Sequence, residues 1–196
     1  MPSRSQQLRF HFNDAKTAQA AAHMLRLNGG TMPYMVLIKL LYLADRQMLL
    51  EHCRPITGDH LVSMRHGPVL SHVLDFITHG PKRDPQTAWF TLIGVPHGYD
   101  VSIKDADAEA STDELSPDEL TLMQVVHSKY GSIGNSDLWE LVKLLHNTLP
   151  EWKDPVGGAS NIEYEDILRA EGRSDDDIAS IKSEADSVWL LNSLGG

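Results

Sequence analysis

A chain of 196 residues, 41% hydrophobic and 22% charged, is long enough for one domain with a sizeable core. No apolar run reaches the roughly 18 residues of a membrane span. Residues 1–13 lack the continuous hydrophobic segment of a secretory signal, and the lone Cys53 excludes an internal disulfide and a four-cysteine zinc module, so a reducing cytoplasm is the expected setting. The net charge of −10 is uneven, +3 over residues 1–100 and −13 over residues 101–196. That balance argues against broad phosphate binding, which draws its affinity from Lys and Arg, and suits either plain solubility or a basic protein partner.

Residues 1–13 read as a flexible arm. Asn13 is the predicted N-cap of a helix over residues 14–28, with Ala15, Ala18, Ala22 and Leu25 on one side and Gly29-Gly30 closing it. A second helix is predicted from Thr31, with Pro33 in its first turn, to His52. Between Val36 and Ala44 every residue except Lys39 is apolar, so this helix belongs in the middle of a bundle. Tyr42 and Asp45 then need buried partners, since an unpaired polar group there costs about 1–3 kcal/mol. A satisfied polar network is the favoured reading of both.

The turn-rich link Pro55-Ile56-Thr57-Gly58-Asp59 leads to Arg65-His66-Gly67-Pro68-Val69, and Pro68 is predicted to open a third helix reaching Ile77 or His79. Trp89–Ile93 reads as a strand and, with the alternating Tyr99, Val101 and Ile103, as a small β-hairpin near 89–103. An acidic linker follows near 104–116. Ser116-Pro117-Asp118-Glu119 has capping-box spacing and predicts a helix to Tyr130, closed by Gly131. The next helix is predicted from Asn135 or Ser136, with a stripe of Leu138, Leu141, Val142, Leu145 and Leu149 ending at Pro150. Residues 154–160 read as an exposed loop, 164–171 as a short helix, and Ser174 as the start of a last helix with Asp175, Asp176 and Asp177 at its positive end. Its Val188-Trp189-Leu190-Leu191 run is expected to pack back on the core. The expected fold is mainly α, a compact helical domain over 14–154 with a small β-hairpin insertion (α+β overall) and a C-terminal helical extension over 155–196.

The candidate chemistry is thin. Among ten histidines there is no HExxH pattern and no i, i+4 pair in a convincing helix; His60, His66 and His72 are spaced by six, and His127 with His146 lacks an identifiable third ligand. Cys53 directly follows His52, and neighbours on a helix point apart. Gly-x-Ser-x-Gly and Gly-x-x-x-x-Gly-Lys are absent. Neither an enzyme nor a cofactor is expected. The segment 117–149, with Gly131-Ser132-Ile133-Gly134 between two helices, could form a helix-turn-helix and so a DNA-binding regulator. Its second helix offers Asp137, Glu140 and only Lys143 among charged residues, a poor match to phosphate.

The stretch Lys39-Leu40-Leu41-Tyr42-Leu43-Ala44-Asp45, followed twenty residues on by Arg65-His66-Gly67-Pro68-Val69, resembles the SocA-like, or Panacea, antitoxin family, long catalogued as phage-associated proteins. The likeness spans Ala18 to Asp154 and takes in Leu145-His146, with leucine where the family has threonine, and Glu151-Trp152. It implies direct binding of a cognate toxin protein, usually encoded beside the antitoxin, and, in the family's namesake, delivery of that toxin to a ClpX-type unfoldase. It names neither the toxin nor an oligomeric state. The residues that carry it are Lys39, Tyr42, Asp45, Arg65, His66, Gly67, Pro68, His146 and Trp152. On the favoured account they build a scaffold: Gly67 permits a sharp turn or close approach, Pro68 presets a helical φ, and Tyr42 or Asp45 ties Arg65 or His66 in place. The competing account has Tyr42, Asp45, Arg65, His66, His146 and Trp152 line a groove for a partner's segment.

Overall fold

The structure, a computed structural model, describes residues 7–82, 86–105, 111–155 and 157–194. Residues 1–6 of the expected arm and 106–110 of the expected linker lie outside these. The protein is mainly helical with a small β part.

Helix α1 (Asp14–Leu27) starts where the sequence predicts, with the Asn13 side chain accepting from the Lys16 N–H at 2.9 Å. The chain then extends through β1 (Thr31–Pro33) before α2 (Tyr34–His52), so the predicted first turn of the second helix is a strand. Proline disfavours a helical conformation in the residue before it, and Pro33 itself is extended at ψ 130°. Helix α2 is the centre of the molecule: Val36 to Arg46 are all buried, with α1 and the segments 67–70, 117–126 and 164–170 packed around it.

Strands β2 (Leu61–Met64) and β3 (Gly67–Leu70) form an antiparallel hairpin, Leu61 opposite Leu70 and Met64 opposite Gly67. Pro68 is therefore in a strand, and α3 (Ser71–His79) begins three residues later than predicted. Strand β3 is an outer strand of a three-stranded sheet with β2 in the middle, the position where a missing N–H leaves no gap in the ladder. The third strand, β5 (Ala159–Ile162), starts within the stretch predicted as loop, runs two residues past it and pairs with the other side of β2.

The predicted strand at 89–93 is a helical turn, α4 (Trp89–Leu92). The Asp14 carboxylate accepts from the N–H groups of Ala88 and Trp89, which holds that turn from the start of α1. Strand β4 (Asp100–Ser102) pairs with β1, and the expected hairpin is retained only as the antiparallel bridges Ile93–Ile103 and His97–Asp100, with the Gly94 N–H donating to Ser102 O at 2.9 Å.

The Ser116 capping box forms as predicted at α5 (Pro117–Val126), with Glu119 Oε2 accepting from the Ser116 N–H at 2.8 Å. Gly131 does not end this helix. It runs through a π-turn at His127–Gly131 into α6 (Ser132–Ser136), and the break falls at Asp137, whose side chain caps α7 (Leu138–Thr148). The helical continuation serves packing, since a Cβ on Gly134 would lie 2.8 Å from both Leu141 and Val36. The predicted stripe is buried at Leu141, Val142, Leu145 and Leu149.

Helix α8 (Tyr164–Ala170) buries Ile167 and Leu168, and α9 (Asp175–Leu194) buries Ile178 and Ile181. Residues 7–13, expected as flexible, are pinned. Leu8 is buried with its N–H donated to Glu165, Phe10 meets the Tyr164 ring edge-on, and the Asn13 N–H donates to Thr57 O at 3.0 Å. The C-terminal run packs back only in part, through the Trp189 ring, which stacks on His11 of the arm at 5.6 Å. Val188, Trp189, Leu190 and Leu191 are 51%, 49%, 52% and 69% exposed, because a helix about 30 Å long outruns the core it starts on.

Candidate functional site

Helical spacing puts Lys39, Tyr42 and Arg46 on one stripe of α2, and that stripe faces the segment from His146 to Glu151. At its lower end the polar groups are satisfied. The Tyr42 hydroxyl donates to Glu151 Oε1 at 2.8 Å, and Arg46 grips the same carboxylate through Nε at 2.8 Å and Nη2 at 3.3 Å. Glu171, just past α8, is a second carboxylate on Arg46. Burial, then the Glu151 charge, hold the Tyr42 hydroxyl well above its usual pKa, so it remains a donor.

Asp45 lies beside this stripe and serves a different segment. Its Oδ1 accepts from the N–H groups of Ile56 and Thr57 at 3.1 and 3.0 Å, and its Oδ2 bonds the Thr57 hydroxyl. Burial pushes this carboxyl up to about 7, against hydrogen bonds from Thr57 that favour the charged form. The loop it holds is clamped twice more. Tyr164 donates its hydroxyl to Asp59 O at 2.6 Å, and the arm crosses so closely that a Cβ on Gly58 would lie 2.2 Å from His11 O. Asp59 in turn caps α3 from a distance, accepting from the N–H groups of His72 and Val73 and pairing with His72 Nδ1 at 2.7 Å. That hydrogen bond raises the His72 pKa although burial opposes it.

The upper end of the stripe differs. Lys39 is fully buried beneath the β2–β3 hairpin, and Gly67 has φ +93°, the conformation a bulge glycine takes after a tight turn. A Cβ at Gly67 would lie 2.9 Å from Lys39 Nζ and 3.7 Å from His146 Nε2. Neither nitrogen has a hydrogen-bond partner among the described residues. The His146 ring stacks on Trp152 at 3.6 Å, Trp152 Nε1 donates to Met64 O at 3.0 Å, and His66 meets the Trp139 ring edge-on at 4.9 Å. Burial draws the Lys39 ammonium down to about 8; burial and then the Lys39 charge lower the His146 imidazole.

Residues 37–153, more than half of the chain, match the Panacea domain of SocA-like antitoxins. The chain belongs to that family. No curated protein and no solved structure is significantly similar to it. The matched segment starts inside α2 and ends beside Trp152, so the arm, α1, β5, α8 and α9 lie outside it.

Of the residues singled out in the sequence, the Panacea fold brings Lys39, Gly67, His146 and Trp152 together, with His66 at their edge. It does not bring Tyr42 or Asp45 to Arg65 or His66. Tyr42 serves Glu151, Asp45 serves the 56–57 loop, and Arg65 is exposed at the hairpin tip. Pro68 lies within β3, opposite Ser63. The sequence gives no role to Arg46 or Trp139, and marks Asp59 only as part of the turn-rich link and Glu151 only as part of a dipeptide. The i, i+4 relation of Tyr42 and Arg46 was the available signal for a shared acceptor. Among the described residues no group of three or more His, Cys, Asp or Glu is placed to hold a metal ion, and no helix is long and apolar enough to cross a membrane.

Proposed function

We propose that this protein binds a partner toxin protein directly and neutralises it, acting by association rather than by catalysing a reaction. The match of residues 37–153 to the SocA-like antitoxins carries the reading, since membership of an antitoxin family implies a toxin. Support comes from the far end of α9, which lies outside the matched segment. Four consecutive exposed apolar residues, 188–191, project around the helix, and Asp175, Asp176, Asp177, Glu184 and Asp186 outnumber the single Lys182 along it. An apolar surface rimmed by acids suits a partner segment that is apolar and basic. On this reading the matched segment is the common scaffold and α9 contributes partner choice. Delivery of the bound toxin to a ClpX-type unfoldase is the finer form of the same proposal.

DNA binding by 117–149 is less well supported. The predicted turn at 131–134 is helical, and α7 exposes Trp139, Glu140 and Lys143, a net charge that gives no attraction to phosphate.

The test is co-expression with the adjacent open reading frame, scored by growth and then by co-purification. The neighbour alone should stop growth, and this protein should restore it while forming a stable complex. Replacing Leu190 and Leu191 together by Asp should leave the melting temperature unchanged and abolish the complex. A harmless neighbour that forms no complex overturns the reading. Repeating the rescue in a host without ClpX separates the two forms, because neutralisation by binding alone survives there and adaptor-dependent neutralisation does not.

A further inference from the structure

Two cations sit two turns apart on one face of α2, and they are treated differently. Arg46 is met by Glu151 and Glu171, whereas Lys39 is met by neither carboxylate nor carbonyl among the described residues. Removing an ammonium from water is heavily penalised unless an acceptor replaces the water, so a fully buried lysine without one asks for a reason. Its surroundings offer a second, independent sign. His146 Nε2 is also shut away without a partner, and both nitrogens meet over the bare Cα of Gly67. The glycine is required for that meeting, since a side chain would occupy the point between them.

The charges near this point are few. His66 and Asp154 both act on His146, but Asp154 is exposed and no ion pair joins it to Lys39. Arg65 on the turn and Lys153 beside Trp152 are exposed cations. The local balance is positive, although residues 101–196, which supply His146, Lys153 and Asp154, are acidic overall.

We propose that Lys39 and His146, meeting over Gly67, form a binding site for a carboxylate, with His66, Trp139 and Trp152 as its rim. Lys39 donates to the carboxylate, and so does His146 as the tautomer carrying its proton on Nε2. Two converging donors match the two oxygens of a planar carboxylate, whereas a phosphate would leave its further oxygens without donors. Lys39, lowered by burial only to about 8, still carries its proton at neutral pH. The carboxylate is either that of a free small acid or one carried by a polypeptide, at a C-terminus or on Asp or Glu.

Thermal unfolding of the full chain tests this without any toxin, so its outcome is separate from that of the co-expression experiment. The probes are sodium acetate against sodium chloride at equal ionic strength, and an N-acetylated dipeptide as the free acid against its C-terminal amide. Acetate at ten times its half-saturating concentration should raise the wild-type melting temperature by roughly 3 °C over chloride. Lys39→Met should lose that rise. His146→Phe, which keeps a ring over Trp152, should diminish it, and serves if Lys39→Met fails to fold. A free-acid dipeptide that acts at lower concentration than acetate, with its amide inert, assigns the site to a polypeptide carboxylate; equal potency assigns it to a small acid. No rise over chloride, or an equal rise in wild type and Lys39→Met, overturns the proposal. So does a rise confined to Asp154→Asn, which would make Asp154 the natural occupant.

Discussion

The two ends of one α2 stripe show what structural and non-structural charges look like in the same protein. Around Arg46 every group is answered: two carboxylates converge on the guanidinium, and the Tyr42 hydroxyl shares one of them. Lys39 is buried more deeply still, but its charge is left alone among the described residues. The first arrangement ties α2 to the end of the matched segment and to α8. The second contributes nothing to cohesion that an apolar side chain of the same length would not. Removing a partner from the Arg46 cluster should therefore cost stability, whereas removing the Lys39 charge should not.

The largest effect is expected at the satisfied end. Glu151→Ala leaves Arg46 buried with only the half-exposed Glu171, and should destabilise by about 3 kcal/mol, lowering Tm by roughly 6–12 °C in thermal unfolding. Asp45→Ala leaves the Ile56 and Thr57 N–H groups without an acceptor and should destabilise by about 2–3 kcal/mol. If it instead abolished partner binding at an unchanged Tm, Asp45 would not be part of a scaffold.

Asp45 also predicts a pH dependence. Its carboxyl titrates near 7 in the folded chain and near 4 when unfolded, so the folded state holds the proton more tightly. The stability it confers is therefore full below about pH 4 and is lost as pH rises to about 7. The stability difference between wild type and Asp45→Asn should shift against wild type across that range; a difference flat from pH 4 to 7.5 would show that the site does not titrate there.

Smaller effects are expected closer to the unsatisfied end. Gly67→Ala forces a left-handed conformation on alanine and moves the tip of Lys39, a cost of about 1–2 kcal/mol measurable by denaturant unfolding. Tyr42→Phe should cost only about 1 kcal/mol, because Arg46 still holds Glu151.

What was legible in the sequence was local. Asn13 and Ser116 cap their helices as their spacing predicts, and the apolar run Val36–Ala44, interrupted only by Lys39, marks the central helix. What was not legible depends on residues far apart in the chain. Trp89–Leu92 has strand-like composition, but its helical turn is fixed by Asp14 from the start of α1. The polar Ala159–Ile162 gives no strand signal of its own; the open side of β2 makes it one. Gly131 reads as a stop, while the helix continues because Gly134 can approach Val36 and Leu141. The site divides the same way. Lys39 stands out as the one polar residue in an apolar run, but its convergence with His146 over Gly67 belongs to the tertiary structure.

The most direct test of the central contrast is to melt Lys39→Met beside Arg46→Met in the same buffer. The account predicts that Lys39→Met unfolds at or above the wild-type temperature, because an unpaired buried charge has been exchanged for an apolar chain of similar length, while Arg46→Met unfolds several degrees lower with Glu151 left unpaired. A Lys39→Met protein that melts as low as Arg46→Met would contradict it, and would make Lys39 a structural charge like its neighbour two turns away.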